Sequence, residues 1–210
     1  KQQAENINFS IAGLLGKIPI KDTTQLYELL SFVLKLPPAR AVDFIPYLHD
    51  GANLALREAA FQTALTYLFY LIECHSPEYW DKDPEACFDL FYISCETAIW
   101  ALEDTKYRQL LEVLQKKAHN TYNIARLYYL QMQYANKHAN YNEAITLGCK
   151  ALAGMHIHIP TDPTNLQIIV ALVKLNIKVG NKRIKDIEKI RTASAPADVL
   201  LLKIIETMVS

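Results

Sequence analysis

The stretch YNEAITLGCKAL, residues 141–152, carries an aromatic residue followed by small residues at helical spacing. Tyr141 is followed at intervals of three, four and three residues by Ala144, Gly148 and Ala151. Residues at these intervals lie on one face of an α-helix, and small side chains there let a neighbouring helix approach closely. The stretch therefore predicts one helix of a packed stack, with Ala144 and Gly148 as contact points for adjacent helices.

The same spacing recurs in FQTALTYLFYLI, which begins at Phe61, and in YRQLLEVLQKKA, which begins at Tyr107. In the second of these, Lys117 stands where a small or apolar residue is expected. Tyr107 and Tyr141 are 34 residues apart, which is the tetratricopeptide period, whereas Phe61 and Tyr107 are 46 residues apart. The longer interval is explained by an inserted loop, HSPEYWDKDPE.

Each of these helices follows a longer one, so the sequence predicts three helix pairs. They are expected at residues 41–74, 85–118 and 121–155. A single pair cannot bury its apolar face, so neighbouring pairs complete the core and the ends need capping helices. The predicted fold is all-α, with antiparallel helix pairs stacked as a degenerate tetratricopeptide-like α-α superhelix.

The remainder of the chain is also predicted to be helical. The nine prolines stand mostly at junctions, apart from Pro46, which is expected in the first turn of a helix or at a kink. Asp22 or Thr23 is the expected N-cap of the second helix, and Pro37 stops it. Outside the three pairs, helices are expected at residues 3–15, 22–36, 163–179, 184–190 and 196–209.

Composition excludes several classes of function. Twenty-two basic residues balance twenty-two acidic ones, which argues against nucleic-acid binding. No apolar run reaches the length of roughly 18 residues that a membrane-spanning helix needs. The four cysteines show no CxxC spacing, so buried reduced thiols and a cytoplasmic location are expected. Because the chain starts at Lys1 without Met, we expect a fragment of a longer polypeptide.

Two longer stretches resemble a family of large multidomain signalling ATPases. YLHDGANLALREAAFQTALTYLFYLIECHSPEYWDKDPE, residues 47–85, is similar to a family segment in which a glycine precedes an aromatic-small-Ala-Leu helix and then a Trp with an acidic loop. YNEAITLGCKALAGMHIHIPTDPT and VGNKRIKDIEKI resemble the landmarks that follow. The positions that match in the first stretch are Gly51, Phe61, Ala64, Leu65, Tyr67, Leu68, Trp80 and Asp81.

This resemblance, which covers residues 41–209, implies a place in a larger architecture. In that family an AAA/STAND-type ATPase precedes the tetratricopeptide-like helical region, with a serine/threonine kinase domain before it and a sensor histidine kinase often after it. Residues 1–40 would be the end of the preceding ATPase or winged-helix module, and residues 41–210 the helical repeat domain with its capping helices. The family's catalytic motifs are missing from the sequence, which has no P-loop and no kinase motif. The resemblance thus implies a regulatory segment without chemistry or a cofactor of its own.

Two small groups of residues invite a chemical interpretation. His156 and His158 form an HxH pair that would suit a metal, but no third ligand is spaced nearby, and loop histidines are the favoured interpretation. Cys149 with His138 or His156 would resemble a nucleophile and its base, but nothing supplies an orienting third group. A buried helix thiol is favoured there, and a helical enzyme is the least favoured hypothesis.

Twelve tyrosines raise the question of a concave peptide-binding groove. Alternatively, they pack between helices with their hydroxyls at the rim. If the groove exists, helix-face placement gives six candidate residues for contacting a partner: Asn53, Arg57, Arg126, Tyr129, Gln133 and Lys137. The partner would be a protein, a peptide or an adjacent domain.

The apolar helix LLLKIIETMV at residues 200–209 would cap the stack or, if exposed, pair in a homodimer. The hypotheses are therefore a regulatory segment of a signalling ATPase and, as the alternative, a stand-alone adaptor that binds a peptide.

Overall fold

The computed structural model describes residues 2–17, 20, 22–75, 79–160, 164 and 195–209. Within these ranges the regular structure is helical and no strand occurs, which confirms the all-α class. The chain divides into two compact units, residues 1–117 and 118–210. The helices expected at residues 163–179 and 184–190 lie outside the described residues.

The first unit contains seven of the named helices and two short 3-10 turns, and the second unit contains three. In chain order the first unit has α1 (Gln2–Leu15), α2 (Thr23–Val33), 3-10 turns at Pro38–Arg40 and Val42–Phe44, α3 (Ile45–Arg57), α4 (Phe61–Cys74), α5 (Tyr79–Lys82), α6 (Pro84–Trp100) and α7 (Asp104–Lys117). The second unit has α8 (Thr121–Lys137), α9 (Tyr141–Gly154) and α10 (Pro196–Val209). The three predicted pairs correspond to α3–α4, α6–α7 and α8–α9, which we call helical hairpins.

Most predicted helix boundaries agree with these bounds to within two residues, but two starts and one end differ by more. The helix predicted to run to Leu36 ends at Val33, because the residue before Pro37 is disfavoured in the helical conformation and residues 34–36 form a turn. Helix α7 begins three residues before the predicted start at Tyr107. The helix expected from residue 41 begins at Ile45 instead, because residues 42–44 form a 3-10 turn, and Pro46 lies in its first turn as expected. The Asp22 side chain accepts a hydrogen bond from the backbone N–H of Gln25 at 2.9 Å, which confirms it as the N-cap of α2.

The three hairpins share one connection of three residues. Its middle residue is left-handed in each case: φ is 54° at Ala59, 59° at Leu102 and 55° at Ala139. The next residue donates its N–H to the carbonyl five positions back, as in the Schellman motif. These bonds run from Ala60 to Ala55 at 2.8 Å, from Glu103 to Ala98 at 3.0 Å and from Asn140 to Ala135 at 2.8 Å. The connection therefore defines a common register for the three hairpins.

This register corrects the predicted repeat. Tyr107 is equivalent to Ala64 and Ala144, and not to Phe61 and Tyr141. The repeat period of 34 residues inferred for the second and third hairpins is therefore three residues too short. The left-handed residues of the three connections are 43 and then 37 residues apart. In the corrected register the same positions are buried in all three hairpins. They are Ala52, Cys95 and Met132; Ala55, Ala98 and Ala135; Ala64, Tyr107 and Ala144; Tyr67, Leu110 and Leu147; and Leu71, Leu114 and Ala151.

The core of the first unit joins α1 and α2 to the first hairpin and α6. The buried Tyr70 hydroxyl on α4 donates to the carbonyl oxygens of Val33 at 3.0 Å and Leu36 at 2.5 Å, at the end of α2. The single hydroxyl hydrogen is shared between the two carbonyls, so Tyr70 holds α4 to the end of α2 and to the turn that follows it. One core thus includes residues on both sides of position 40, and the origin of residues 1–40 in a preceding module stays a prediction.

In the second unit α10 packs on α8 and α9. Leu200 is 5% exposed and Ile204 is fully buried. A Cβ atom at Gly148 would lie 2.8 Å from Met208 of α10 and 3.1 Å from the sulfur of Met132 of α8. Gly148 is therefore a contact point for two helices, as predicted.

Glycine at the middle of a hairpin connection should stabilise the protein. An L-residue with a side chain is strained at positive φ, so we expect Ala139→Gly to raise the free energy of unfolding by up to about 1 kcal/mol. Ala139→Val should lower it by about 1–2 kcal/mol, because a β-branched side chain is more strained there. The midpoint of urea denaturation measures both effects. As a control, Ala153→Gly, within α9, should destabilise the protein. If glycine had the same effect at positions 139 and 153, the left-handed conformation assigned to Ala139 would be contradicted.

Replacing Gly51 should destabilise the first unit. A Cβ atom at this position would overlap the fully buried side chain of Leu30 on α2, and would lie 3.4 Å from the Tyr67 ring on α4. Gly51→Ala is therefore expected to cost about 1–3 kcal/mol of stability, measured by denaturant unfolding. Gly13→Ala is the matched control, since nothing lies within 4 Å of a Cβ atom there. Unfolding curves in which the Gly51 variant is as stable as the Gly13 variant would show that α2 and α3 are not packed this closely.

Candidate interaction surfaces

The structure places two of the six predicted contact residues on the outside of α3. Asn53 and Arg57 are both exposed and lie one helical turn apart. The amide of Asn53 and the guanidinium of Arg57 therefore share one polar face of the first hairpin. This placement suits the predicted role in contacting a partner, which itself stays a prediction.

The other four predicted residues lie on α8, in the second unit, and only one of them is exposed. Tyr129 is 7% exposed and packs in the core formed with α9 and α10. Its ring does not line an open groove, because α10 supplies part of the core around it. Arg126 is half-buried, donates to the side-chain oxygen of Asn123 at 3.3 Å and lies 5.6 Å from the centre of the Tyr122 ring. Gln133 is half-buried, and Lys137 is exposed.

In the hairpin register, four of the six residues are equivalent in pairs. Asn53 and Gln133 both stand six residues before the left-handed residue, and Arg57 and Lys137 both stand two residues before it. The first and third hairpins thus repeat an amide followed by a cation on the first helix. The second hairpin has Glu96 and Trp100 at these positions, so the pattern is not uniform.

A cleft that the sequence did not predict lies between α1 and the start of α3. Its volume is about 630 Å³, within the usual range for ligand and peptide sites. One wall consists of residues of α1 and the turn after it, and the other of residues at the start of α3 and just before it. The lining residues are Phe9, Ser10, Gly13, Leu14, Gly16, Lys17, Asp43, Phe44 and Tyr47.

Specific contacts hold the two walls of the cleft together. The Arg40 guanidinium lies 4.5 Å from the centre of the Phe9 ring and donates to the side-chain oxygen of Asn6 at 2.9 Å. Phe9 meets Phe44 edge to face, with ring centres 6.4 Å apart. The Tyr47 hydroxyl donates to the carbonyl oxygen of Gly16 at 2.9 Å. These contacts fix α1 against the first hairpin, so the cleft is a built feature of the first unit.

Small residues of α1 open the cleft. A Cβ atom at Gly13 would have nothing within 4 Å, and Gly16 faces the rings of Phe44 and Tyr47 at 3.5 and 3.8 Å from its Cβ position. The sequence signal for the cleft was therefore limited to the small residues Ser10 and Gly13 on α1 and Gly16 directly after it. The aromatic wall comes from residues about thirty positions later, and sequence spacing does not reveal that pairing.

The histidines of the MHIHIP stretch do not form an extended pair. His156 has a φ of 63° and belongs to the turn that ends α9, where Ile157 donates to the carbonyl of Leu152 at 2.9 Å. Among the described residues, no group of three or more His, Cys, Asp or Glu side chains is placed to hold a metal ion. His138 packs against Tyr134, with ring centres 4.4 Å apart.

The cysteines lie in helices, as the sequence predicted, and three of them are buried. Burial raises the pKa of Cys74 and of Cys87 to about 11, and raises the pKa of Cys95 well above its usual range. A thiol with a raised pKa has little thiolate at neutral pH and is a poor nucleophile. Cys149 on α9 is only half-buried, which corrects the prediction of a buried thiol there, and it is the least buried of the four cysteines.

Comparison with protein-family models, with curated proteins and with solved structures finds no match to this chain. The tetratricopeptide-like assignment therefore depends on the hairpin geometry alone and stays a prediction. In the part of the chain that the structure describes, no helix is both long enough and apolar enough to cross a membrane.

Thiol reactivity should separate Cys149 from the other cysteines. In native protein at neutral pH, we expect an aromatic disulfide reagent to modify one thiol promptly and the other three only on unfolding, because their burial suppresses the thiolate. Absorbance of the released thiol measures the stoichiometry. Cys149→Ser should remove the prompt reaction, whereas Cys74→Ser should leave it. Prompt modification of more than one thiol in the folded protein would contradict the burial of the other three.

Proposed function

We propose that this chain is a non-catalytic helical-repeat segment that mediates protein–protein or interdomain contacts within a large signalling ATPase or kinase. The observation that carries the proposal is the shared connection of the three hairpins, with left-handed residues at Ala59, Leu102 and Ala139. Repeated hairpins with matched buried positions are typical of tetratricopeptide-like arrays, whose common use is recognition of other proteins.

The distribution of side chains supports a binding role for the first helices of the hairpins. Both helices of a hairpin bury one face, as at Ala55 on α3 and Ala64 on α4. On the opposite face, the first helix α3 keeps Asn53 and Arg57 exposed. A surface of this kind presents hydrogen-bond donors and positive charge on a rigid element, which suits recognition without chemistry.

The link to a signalling ATPase comes from the sequence resemblance over residues 41–209. Two glycines of the stretches that carry the resemblance lie at close contacts between helices. Gly51 lies where α3 meets Leu30 and Tyr67, and Gly148 lies where α9 meets α8 and α10. In such a protein, a contact that differs between two nucleotide states of the ATPase would shift the balance between those states.

One observation favours a second candidate, a stand-alone adaptor that binds an acidic peptide. Arg57 and Lys137 occupy equivalent positions in the first and third hairpins. An exposed cation at this position suits a carboxylate or phosphate group of a peptide bound to its own hairpin. In this case no ATPase would be needed for function.

Mapping the native polypeptide tests the first proposal. We expect mass-spectrometric peptide mapping to find a nucleotide-binding module upstream of Lys1. In that polypeptide, a non-hydrolysable ATP analogue should change amide hydrogen exchange in α3 or α8 by about fivefold or more, because allosteric coupling is typically 1–3 kcal/mol. Helix α1 of the same protein, compared with and without the analogue, reports any global change in stability.

Flanking sequences without a nucleotide-binding module would overturn the ATPase proposal. The adaptor would then be supported if the isolated chain bound an acidic peptide and lost that binding on Arg57→Glu. Lys150→Glu, an exposed change of equal charge on α9, is the matched control. Equal loss of binding with both variants would mean that net charge, and not the α3 surface, controls the interaction.

A further inference from the structure

We propose that the cleft between α1 and the start of α3 is the contact surface for a second copy of this chain, in a two-fold symmetric dimer. The cleft is apolar at its centre and carries one exposed charge of each sign on its opposite walls, Lys17 on the α1 side and Asp43 on the other. This inference is independent of the proposed role of α3 and α8.

Three large apolar side chains on the walls of the cleft, or near these walls in the sequence, are exposed. Leu14, on the wall of the cleft, is 65% exposed, and Ile7, two helical turns earlier on α1, is 52% exposed. Val42, next to Asp43, is 49% exposed. Large apolar side chains grouped at one site mark a surface that gains free energy when it is covered.

Gly13 leaves room for a side chain of the second copy to enter the cleft. The space above its Cα atom is open, and Leu14 stands beside it on the same wall. When the α1 wall of one copy faces the Asp43 wall of the other, the Leu14 side chain of each copy enters the cleft of its partner. Each copy then supplies both the apolar side chain and the space that receives it.

The charges favour a second copy over other occupants. In a two-fold dimer the same patch is used by both chains, so residues that face each other must be complementary. A two-fold axis that runs along the cleft brings the α1 wall of one copy against the other wall of its partner, which places Lys17 opposite Asp43 in two equivalent contacts. Neither side chain forms an ion pair with another residue that the structure describes. The formal net charge of the chain is zero, so no long-range repulsion opposes the association.

Helix α10 also exposes apolar residues, Val199, Leu202 and Ile205. They lie on the side of α10 away from Leu200 and Ile204, which pack in the core of the second unit. No described cleft adjoins them, and nothing comparable to the pair of opposite charges identifies what would cover them. The cleft at α1 is therefore the better supported dimer contact.

Charge exchange between two variants tests the proposed dimer. Sedimentation velocity on the 210-residue chain should give a particle of twice the 23.9 kDa chain mass at high concentration. Lys17→Glu and Asp43→Lys should each weaken self-association by more than about tenfold, because each places like charges in both contacts. An equimolar mixture of the two variants should restore a dimer, since each contact then joins opposite charges. Helical circular dichroism and the unfolding midpoint confirm that each variant is folded.

Filling the cleft gives a second, uncharged test. Gly13→Gln adds a side chain in the open space and should abolish the dimer, whereas Gly154→Gln, at another glycine with nothing within 4 Å of its Cβ position, should leave it intact. A wild-type chain that stays monomeric up to its solubility limit would overturn the proposal. So would a dimer that none of the cleft variants weakens, or single charge variants whose mixture fails to associate. A dimer lost on Leu202→Lys and unaffected by Gly13→Gln would place the contact on α10 instead.

Discussion

The hydrogen bond that closes each helical hairpin is the constraint on which the rest of the structure depends. An N–H donates to the carbonyl five residues back, and this is feasible only because the intervening residue is left-handed. The bond ends the first helix, reverses the chain in three residues and starts the second helix antiparallel to the first. Because it ends on Ala55, Ala98 or Ala135, a small buried residue stands at the same point of every hairpin. The repeated pattern of burial in the second helices follows from that geometry.

Helix positions could be predicted from the sequence, whereas the repeat register could not. A cap such as Asp22 acts locally, and the structure places it as expected, whereas α2 ends at Val33, four residues before Pro37. The register was inferred from aromatic residues, but Phe61 and Tyr141 open their helices at partly or largely exposed positions, while Tyr107 is buried where its equivalents are alanines. A large side chain and a small one occupy the same position because their neighbours differ. The turns also lack a sequence signal, since Ala59, Leu102 and Ala139 stand where glycine would be usual.

The candidate surfaces depend on contacts between distant parts of the chain, which spacing along a helix does not reveal. Helical spacing correctly placed Asn53 and Arg57 on an exposed face. It failed for Tyr129, because the helix that packs into the same core follows about seventy residues later, with Asn136 donating to the carbonyl of Thr207 at 3.2 Å. The cleft at α1 was missed for the same reason, since Tyr47 reaches back to Gly16 to build it.

The connections differ in how much variation in length they permit. Within each hairpin the connection is three residues long, and its hydrogen bond leaves no room for another. Between hairpins the chain is free to vary: residues 75–83 separate α4 from α6, with a short helix of their own, whereas only residues 118–120 separate α7 from α8. We therefore expect insertions and deletions to be tolerated at the joints between hairpins, and the hairpin to be the smallest segment that duplication could add or remove without breaking a helix end.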